Sequence, residues 1–219
     1  MINNKIISWV IQFSIWTPII FFSTLLIHNS LLYYSFDQEY GILPEKTTAL
    51  KDPVWVISFY IHVISGVICL SIPVVSFLGK RIGLSTNLHK KIGLVYVWIS
   101  ILIVSPTGMY LALYAKGGIL AQAGFLVQGI LLSIFTYKGY KVIQEKNTAL
   151  HIQWMIRSYA IVTAVLSFRI FHILFFFISI PYEDIYGLSQ WLSITVNALA
   201  AEIIITLIIN SKKSISQLT

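Results

Sequence analysis

The stretch from Leu150 to Phe177, LHIQWMIRSYAIVTAVLSFRIFHILFFF, constrains the chain more than any other. It is apolar over more than the roughly 20 residues that a helix needs to cross a bilayer. It also carries His151, Arg157, Arg169 and His172. Ionisable groups at membrane depth are costly, so they face a bundle interior or a water-filled cavity. At about 100° per residue, His151 and Arg169 share one azimuth, with His172 about 60° and Arg157 about 120° to one side. The spacing predicts a membrane helix with a single polar stripe turned toward protein.

Composition agrees. The chain has 219 residues, 57% hydrophobic and 11% charged, with mean hydropathy +0.82. A soluble domain carries about 25% charged residues. The expected fold is an all-α polytopic membrane protein, one membrane domain over residues 1–219. Six windows are long and apolar enough to span: 6–27, 53–78, 92–114, 119–137, 150–180 and 190–210. Short connections make successive helices antiparallel neighbours in one bundle. The apolar run after Lys5 exceeds the roughly 7–15 residues of a signal-peptide core, so it reads as a retained first span, kinked at Pro18.

Basic residues fix the expected orientation. Lys5, Lys80, Arg81, Lys90, Lys91, Lys138, Lys141, Lys146, Lys212 and Lys213 fall in segments on one side. Lys46, Lys51 and Lys116 fall on the other, with Asp37, Glu39, Glu45, Asp52, Glu183 and Asp184. Both termini are therefore expected in the cytoplasm, with the chain in the cell membrane. The net charge of +7 is scattered over short loops and forms no long basic face, which argues against nucleic acid as a partner. Cys69 is the only cysteine, which excludes an intramolecular disulfide and a multi-cysteine metal site.

Two pairs of histidines stand out. His62 lies about 14 Å and His172 about 12 Å from the outer ends of their windows at 1.5 Å per residue. At similar depth on different helices, they are candidate ligands for one metal or haem iron. His89 and His151 open the third and fifth windows at the cytoplasmic edge. They are candidate ligands for haem or a metal ion, the entry of a proton path, or two solvated interfacial imidazoles. Ser65 and Gly66, on the His62 face, read as helix-packing residues. Arg169 and Glu202, about 17 and 20 Å deep by the same count, are expected to form an ion pair joined by Asn197. That pair could pin two helices or hold an anion such as a haem propionate.

The chain has no Walker loop, dinucleotide-binding glycine fingerprint, Ser-His-Asp pattern or HExxH motif, so hydrolase and nucleotide-driven pump chemistry lack support.

These residues carry a family resemblance. His62-x-x-x-Gly66, Leu88-His89-Lys90-Lys91-x-Gly93-x-x-Tyr96 and Ser105-Pro106-x-Gly108 resemble a family of bacterial membrane proteins known as domain of unknown function 2306. Gly117-Gly118, Gly124-Phe125, Arg169, Asn197 and Glu202 extend the likeness over about residues 56–205. Its specific part is His151-x-x-Trp154-Met155-x-Arg157-Ser158-Tyr159-Ala160. A more distant likeness is to bis-histidine haem membrane proteins of the cytochrome b561 type, although the fourth window here has no histidine. That likeness implies haem b as cofactor, with His62, His89, His151 and His172 as candidate ligands and Arg169 as propionate anchor.

Three readings follow. The chain is a haem b electron-transfer protein working with a quinone or small reductant, a proton-coupled carrier with a His/Arg/Glu polar core, or a non-catalytic scaffold in the lipid bilayer. Whether it is an enzyme is left open by the residues.

Overall fold

The computed structural model describes residues 4–79 and 82–216, and the side chains of 14, 16–79 and 82–209. Seven α-helices carry the chain: α1 (Asn4–Leu31), α2 (Pro53–Leu78), α3 (Thr86–Ile99), α4 (Ser105–Ala112), α5 (Gly118–Gln144), α6 (Thr148–Phe177) and α7 (Tyr182–Ser216). Among the described residues there is no strand. Five stretches are long and apolar enough to cross a membrane: α2, Thr86–Ala112, α5, α6 and residues Tyr182–Ile209 of α7. α1 covers residues 6–27, the window expected as the first span, and contains Pro18, but it is not among these five.

Local chemistry sets the helix ends. Asp52 accepts the Val54 N–H at 2.9 Å just before Pro53, which needs no N–H partner at a helix start. Ser85 caps α3 through Leu88 N–H at 3.2 Å, and Asn147 caps α6 through Leu150 N–H at 3.0 Å. These caps put His89, Lys90 and Lys91 on α3, six residues before the window that hydropathy gives. α7 likewise begins at Tyr182 rather than at 190. Polar ends extend the helices because hydropathy sees the apolar core and not the hydrogen-bonded ladder beyond it.

Thr86–Ala112 is one span in three pieces. Between α3 and α4 the backbone widens into a π-turn at Ser100–Val104, with Ser105 N–H bonded to the Ser100 carbonyl. Pro106 has no N–H to continue the α-ladder, and a wider turn accommodates its ring.

The bundle has two distinct ends. The long-loop end carries residues 32–52, folded as three 3-10 turns (Leu32–Ser35, Leu43–Lys46, Ala49–Lys51). Leu43 and Ala49 pack there on Trp55 and Phe59. Glu45 meets Lys116 at 2.5 Å, Lys46 bonds the Tyr114 carbonyl, and Tyr110 donates to Asp52 at 2.9 Å. The Tyr110 hydroxyl and the Val54 N–H hold the Asp52 carboxyl below its ordinary pKa. The opposite, basic end carries Lys90, Lys91, Lys138, Lys141 and Lys146. Lys80 and Arg81, and the side chains of Lys5, Lys212 and Lys213, lie outside the described residues.

Bulky apolar side chains cover the outside: Phe177 is 76% exposed, Phe176 65% and Leu102 63%. A water-soluble monomer does not present so continuous an apolar surface. The chain is an integral membrane protein in contact with lipid.

Candidate functional site

The first turns of α6 dock on three other helices through consecutive members of one string. His151 Nδ1 lies 2.8 Å from the Gly139 carbonyl of α5. A carbonyl only accepts, so Nδ1 carries the proton and Nε2 keeps its lone pair. His89, at the head of α3, is near enough to act electrostatically on the His151 ring. Trp154 lies between two cations, with Lys138 Nζ 4.6 Å and Arg157 Cζ 4.7 Å from its ring. Met155 fills the space over Gly139, where a Cβ would lie 2.8 Å from its Sδ. Arg157 grips Glu202 of α7 with two bonds, Nε to Oε1 at 2.6 Å and Nη2 to Oε2 at 2.8 Å.

Ser158, fully buried, is the next contact. Its Oγ lies 2.6 Å from the Tyr96 hydroxyl of α3 and 2.7 Å from Thr136 Oγ1 of α5. One hydroxyl thus joins three helices. Cys69 and Ser100 form a neighbouring buried pair at 3.3 Å. Toward the long-loop end, Gln190 donates to Gln128 at 2.7 Å, and Gln128 to the Ile161 carbonyl at 3.0 Å.

His62 is seated against α4. Its Nδ1 lies 3.0 Å from Thr107 Oγ1. Thr107 Oγ1 spends its own proton on the Ile103 carbonyl at 2.6 Å, so it accepts from Nδ1–H. The hydrogen-bond network thereby assigns His62 the same tautomer as His151. A Cβ on Gly108 would stand 2.8 Å from His62 Cε1, so only glycine leaves room for this ring. Gly66, one turn along α2, has no atom within 4 Å of where its Cβ would be. The space that a Gly66 side chain would occupy is open, so the helix-packing role expected for it is not served on that side. Ser65 is buried and bonds the Ile61 carbonyl of its own helix at 2.6 Å.

His172 has a different environment. Its ring stands edge-on to Tyr186 of α7 at 4.6 Å and near Phe168 at 5.6 Å, with Nδ1 buried and without a hydrogen-bond partner.

A family model described as predicted membrane protein (DUF2306) matches residues 59–205. The chain belongs to this family. No curated protein and no solved structure matches it. The matched segment runs from the middle of α2 to α7, so it contains the His151–Ser158 string, the Ser158 junction and the His62 seat.

The expected Arg169–Glu202 pair is corrected by the structure. Glu202 pairs with Arg157. Counted from the true helix ends, Arg169 is about 12 Å from the long-loop end of α6 and Glu202 about 30 Å from that of α7. The resulting axial gap of about 18 Å forbids contact. Reading the last helix from 190 instead of Tyr182 placed Glu202 too shallow. Arg169 is exposed, and its long stem lets the guanidinium reach toward the nearer membrane surface. Asn197 joins α6 to α7 by other means: it donates to the Ala160 carbonyl at 2.9 Å and accepts from Ser167 at 2.7 Å. The polar stripe of α6 therefore divides, with His151 turned to α5, Arg157 and His172 to α7, and Arg169 outward.

Of the two histidine pairs, His89 and His151 lie at the same, basic end of the bundle. His62 and His172 turn to different helices, α4 and α7. Among the described residues no group of three or more His, Cys, Asp or Glu gathers as metal ligands, so a metal ion at His89 and His151 lacks a third protein donor. Sequence reasoning missed Thr107, Thr136 and the Gln128–Gln190 pair. Isolated hydroxyls and carboxamides in apolar runs were their only signal.

The Arg157–Glu202 pair is half in contact with the surroundings, with 54% exposure at the Glu202 side chain. Glu202 lies within the Tyr182–Ile209 span, so that exposure is toward the membrane and not to bulk water. Glu202→Gln is expected to cost about 1–2 kcal/mol in denaturant unfolding of the detergent-solubilised protein. Arg157→Ala should cost more, because the Trp154 contact is lost with it.

Proposed function

We propose that the protein is an electron-transfer protein of the cell membrane that holds haem b between His89 and His151. In this reading it has six spans, with the basic end and both termini in the cytoplasm. The observation that carries it is the His151 Nδ1–Gly139 carbonyl bond. Ligating histidines characteristically donate their other ring N–H to a carbonyl or carboxylate, which fixes the ring and raises its basicity. His151 is held in that way with Nε2 unprotonated, and His89, at the same basic end of the bundle on α3, is the second imidazole of this reading. Gly93, one turn along α3 from His89, has nothing within 4 Å of its Cβ position, leaving a flank for a planar group. These two imidazoles and this flank are what support the haem b reading. When bound, haem b supplies one-electron redox chemistry at its iron.

In this reading His89 and His151 bind and orient the group, and Trp154 and Met155 close the neighbouring space. Arg169, toward the other end of α6, is too distant to anchor its propionates. The carrier reading depended on Glu202 and Arg169 sharing a mid-depth site, and their separation removes that support.

The test is the visible spectrum of detergent-purified protein from haem-sufficient cells, as isolated and after dithionite. A Soret band that shifts on reduction is expected, with loss of the band in His151→Ala and His89→Ala. Colourless wild-type protein overturns the proposal and favours the scaffold reading.

A further inference from the structure

We infer that His62 and Gly66 form a second site, which takes the head group of a membrane-dissolved hydroquinone. This site is independent of haem at the other end. Three observations meet here. The Thr107 hydroxyl, its proton committed to Ile103, holds His62 by Nδ1–H and leaves Nε2 as a hydrogen-bond acceptor. Among the described residues no side chain bonds Nε2, the ring's other polar neighbour being the Val104 carbonyl, and Nε2 is not one of the sealed polar atoms of the interior. Gly66 lies one turn further along α2 on the same face, with open space where a side chain would be.

Position narrows the ligand. His62 lies nine residues into α2, about 14 Å from the long-loop end. The flanking Ile61 and Ile64 are 42% and 39% exposed to the bilayer side. A ligand must therefore reach the site through hydrocarbon, carry an O–H donor for Nε2, and be flat enough to lie against a glycine. Sugars and nucleotides fail the first requirement and an acyl chain fails the second. A sterol keeps its hydroxyl at the interface. A hydroquinone meets all three, its ring over Gly66 and one phenolic hydroxyl donating to Nε2. Thr107 acts as a positioning residue: without it the ring can turn or change tautomer. Gly108 keeps the seat open.

The experiment measures binding of ubiquinol-1 to the full chain in lipid nanodiscs by anaerobic equilibrium dialysis. Saturable binding to one site is expected. His62→Leu and Gly66→Leu should each weaken it at least tenfold. Gly66→Leu grows into open space and should keep the wild-type thermal midpoint, so it reports on the site even if His62→Leu misfolds. Thr107→Val should weaken binding several-fold while Thr107→Ser stays within twofold. The dimethyl ether of ubiquinol-1, which has no hydroxyl to donate, should bind at least tenfold more weakly. Absence of saturable binding to wild-type protein overturns the inference. So does binding within twofold of wild type in Gly66→Leu, or equal binding of the ether. Absorption spectra of the same samples report on the haem proposal separately.

Discussion

Gly117→Ala should destabilise the protein by about 3 kcal/mol, measured as a loss of unfolding free energy in detergent. Gly117 begins α5 at φ +87°, in the left-handed region that a side chain occupies only under strain. A Cβ there would also lie 2.7 Å from Tyr186 Cβ and 3.3 Å from the Gly187 backbone nitrogen. Neither neighbour is the movable tip of a flexible side chain. Relief requires α7 to shift away from α5, and with it the Tyr186 ring that packs on His172. Gly118→Ala provides the control. Gly118 also has positive φ, at +62°, but meets nothing within 4 Å. It should cost only the backbone term, about 1 kcal/mol. The difference between the two variants isolates the α5–α7 contact. Equal costs would mean that the contact contributes nothing.

Ser158→Ala should cost about 2 kcal/mol. The substitution removes one hydroxyl but deprives two others, Tyr96 and Thr136, of their common partner. Tyr96 is 1% exposed and Thr136 0%, so no water or headgroup replaces it. Buried polar groups left without a partner cost about 1–3 kcal/mol each, although partners rearrange inside membranes and the sum is seldom reached. A cycle with Tyr96→Phe gives a sharper result. Once Ser158 is alanine, removing the Tyr96 hydroxyl should cost less than it does in the wild type, because its bond to Ser158 is already lost. Strict additivity would show that the three hydroxyls do not act as a unit.

These two positions differ in how far the sequence discloses them. Gly117-Gly118 reads at once as a turn, because adjacent glycines between two apolar runs end one helix and start another. That a Cβ on Gly117 would strike Tyr186 depends on residues some seventy positions apart, and no local pattern carries it. Ser158 is visible as part of the His151–Ser158 string. Its partners are not, since Tyr96 and Thr136 sit in apolar runs where a tyrosine or threonine is unremarkable. The same holds at His62. The histidine stands out by its depth, whereas Thr107 becomes meaningful only once α4 lies against α2.

The Arg169–Glu202 error has one physical source. Hydropathy marks the hydrocarbon-matched part of a helix, while capping and backbone hydrogen bonds decide where the helix begins. α7 starts eight residues before its apolar window, so an axial position counted from that window is wrong by about 12 Å. An ion pair tolerates an error of about 1 Å at most.

By itself, the sequence determined that the chain is helical and membrane-embedded, approximately where its spans lie, and which ionisable groups they carry. Those properties follow from the cost of putting backbone and charge into hydrocarbon, which each segment bears alone. Only the tertiary structure decided that Glu202 answers Arg157, that His151 and His62 both engage a partner through Nδ1, and that His172 turns to α7. Such pairings depend on the rotation and axial offset of neighbouring helices. Both are set by side-chain packing across helices distant in sequence.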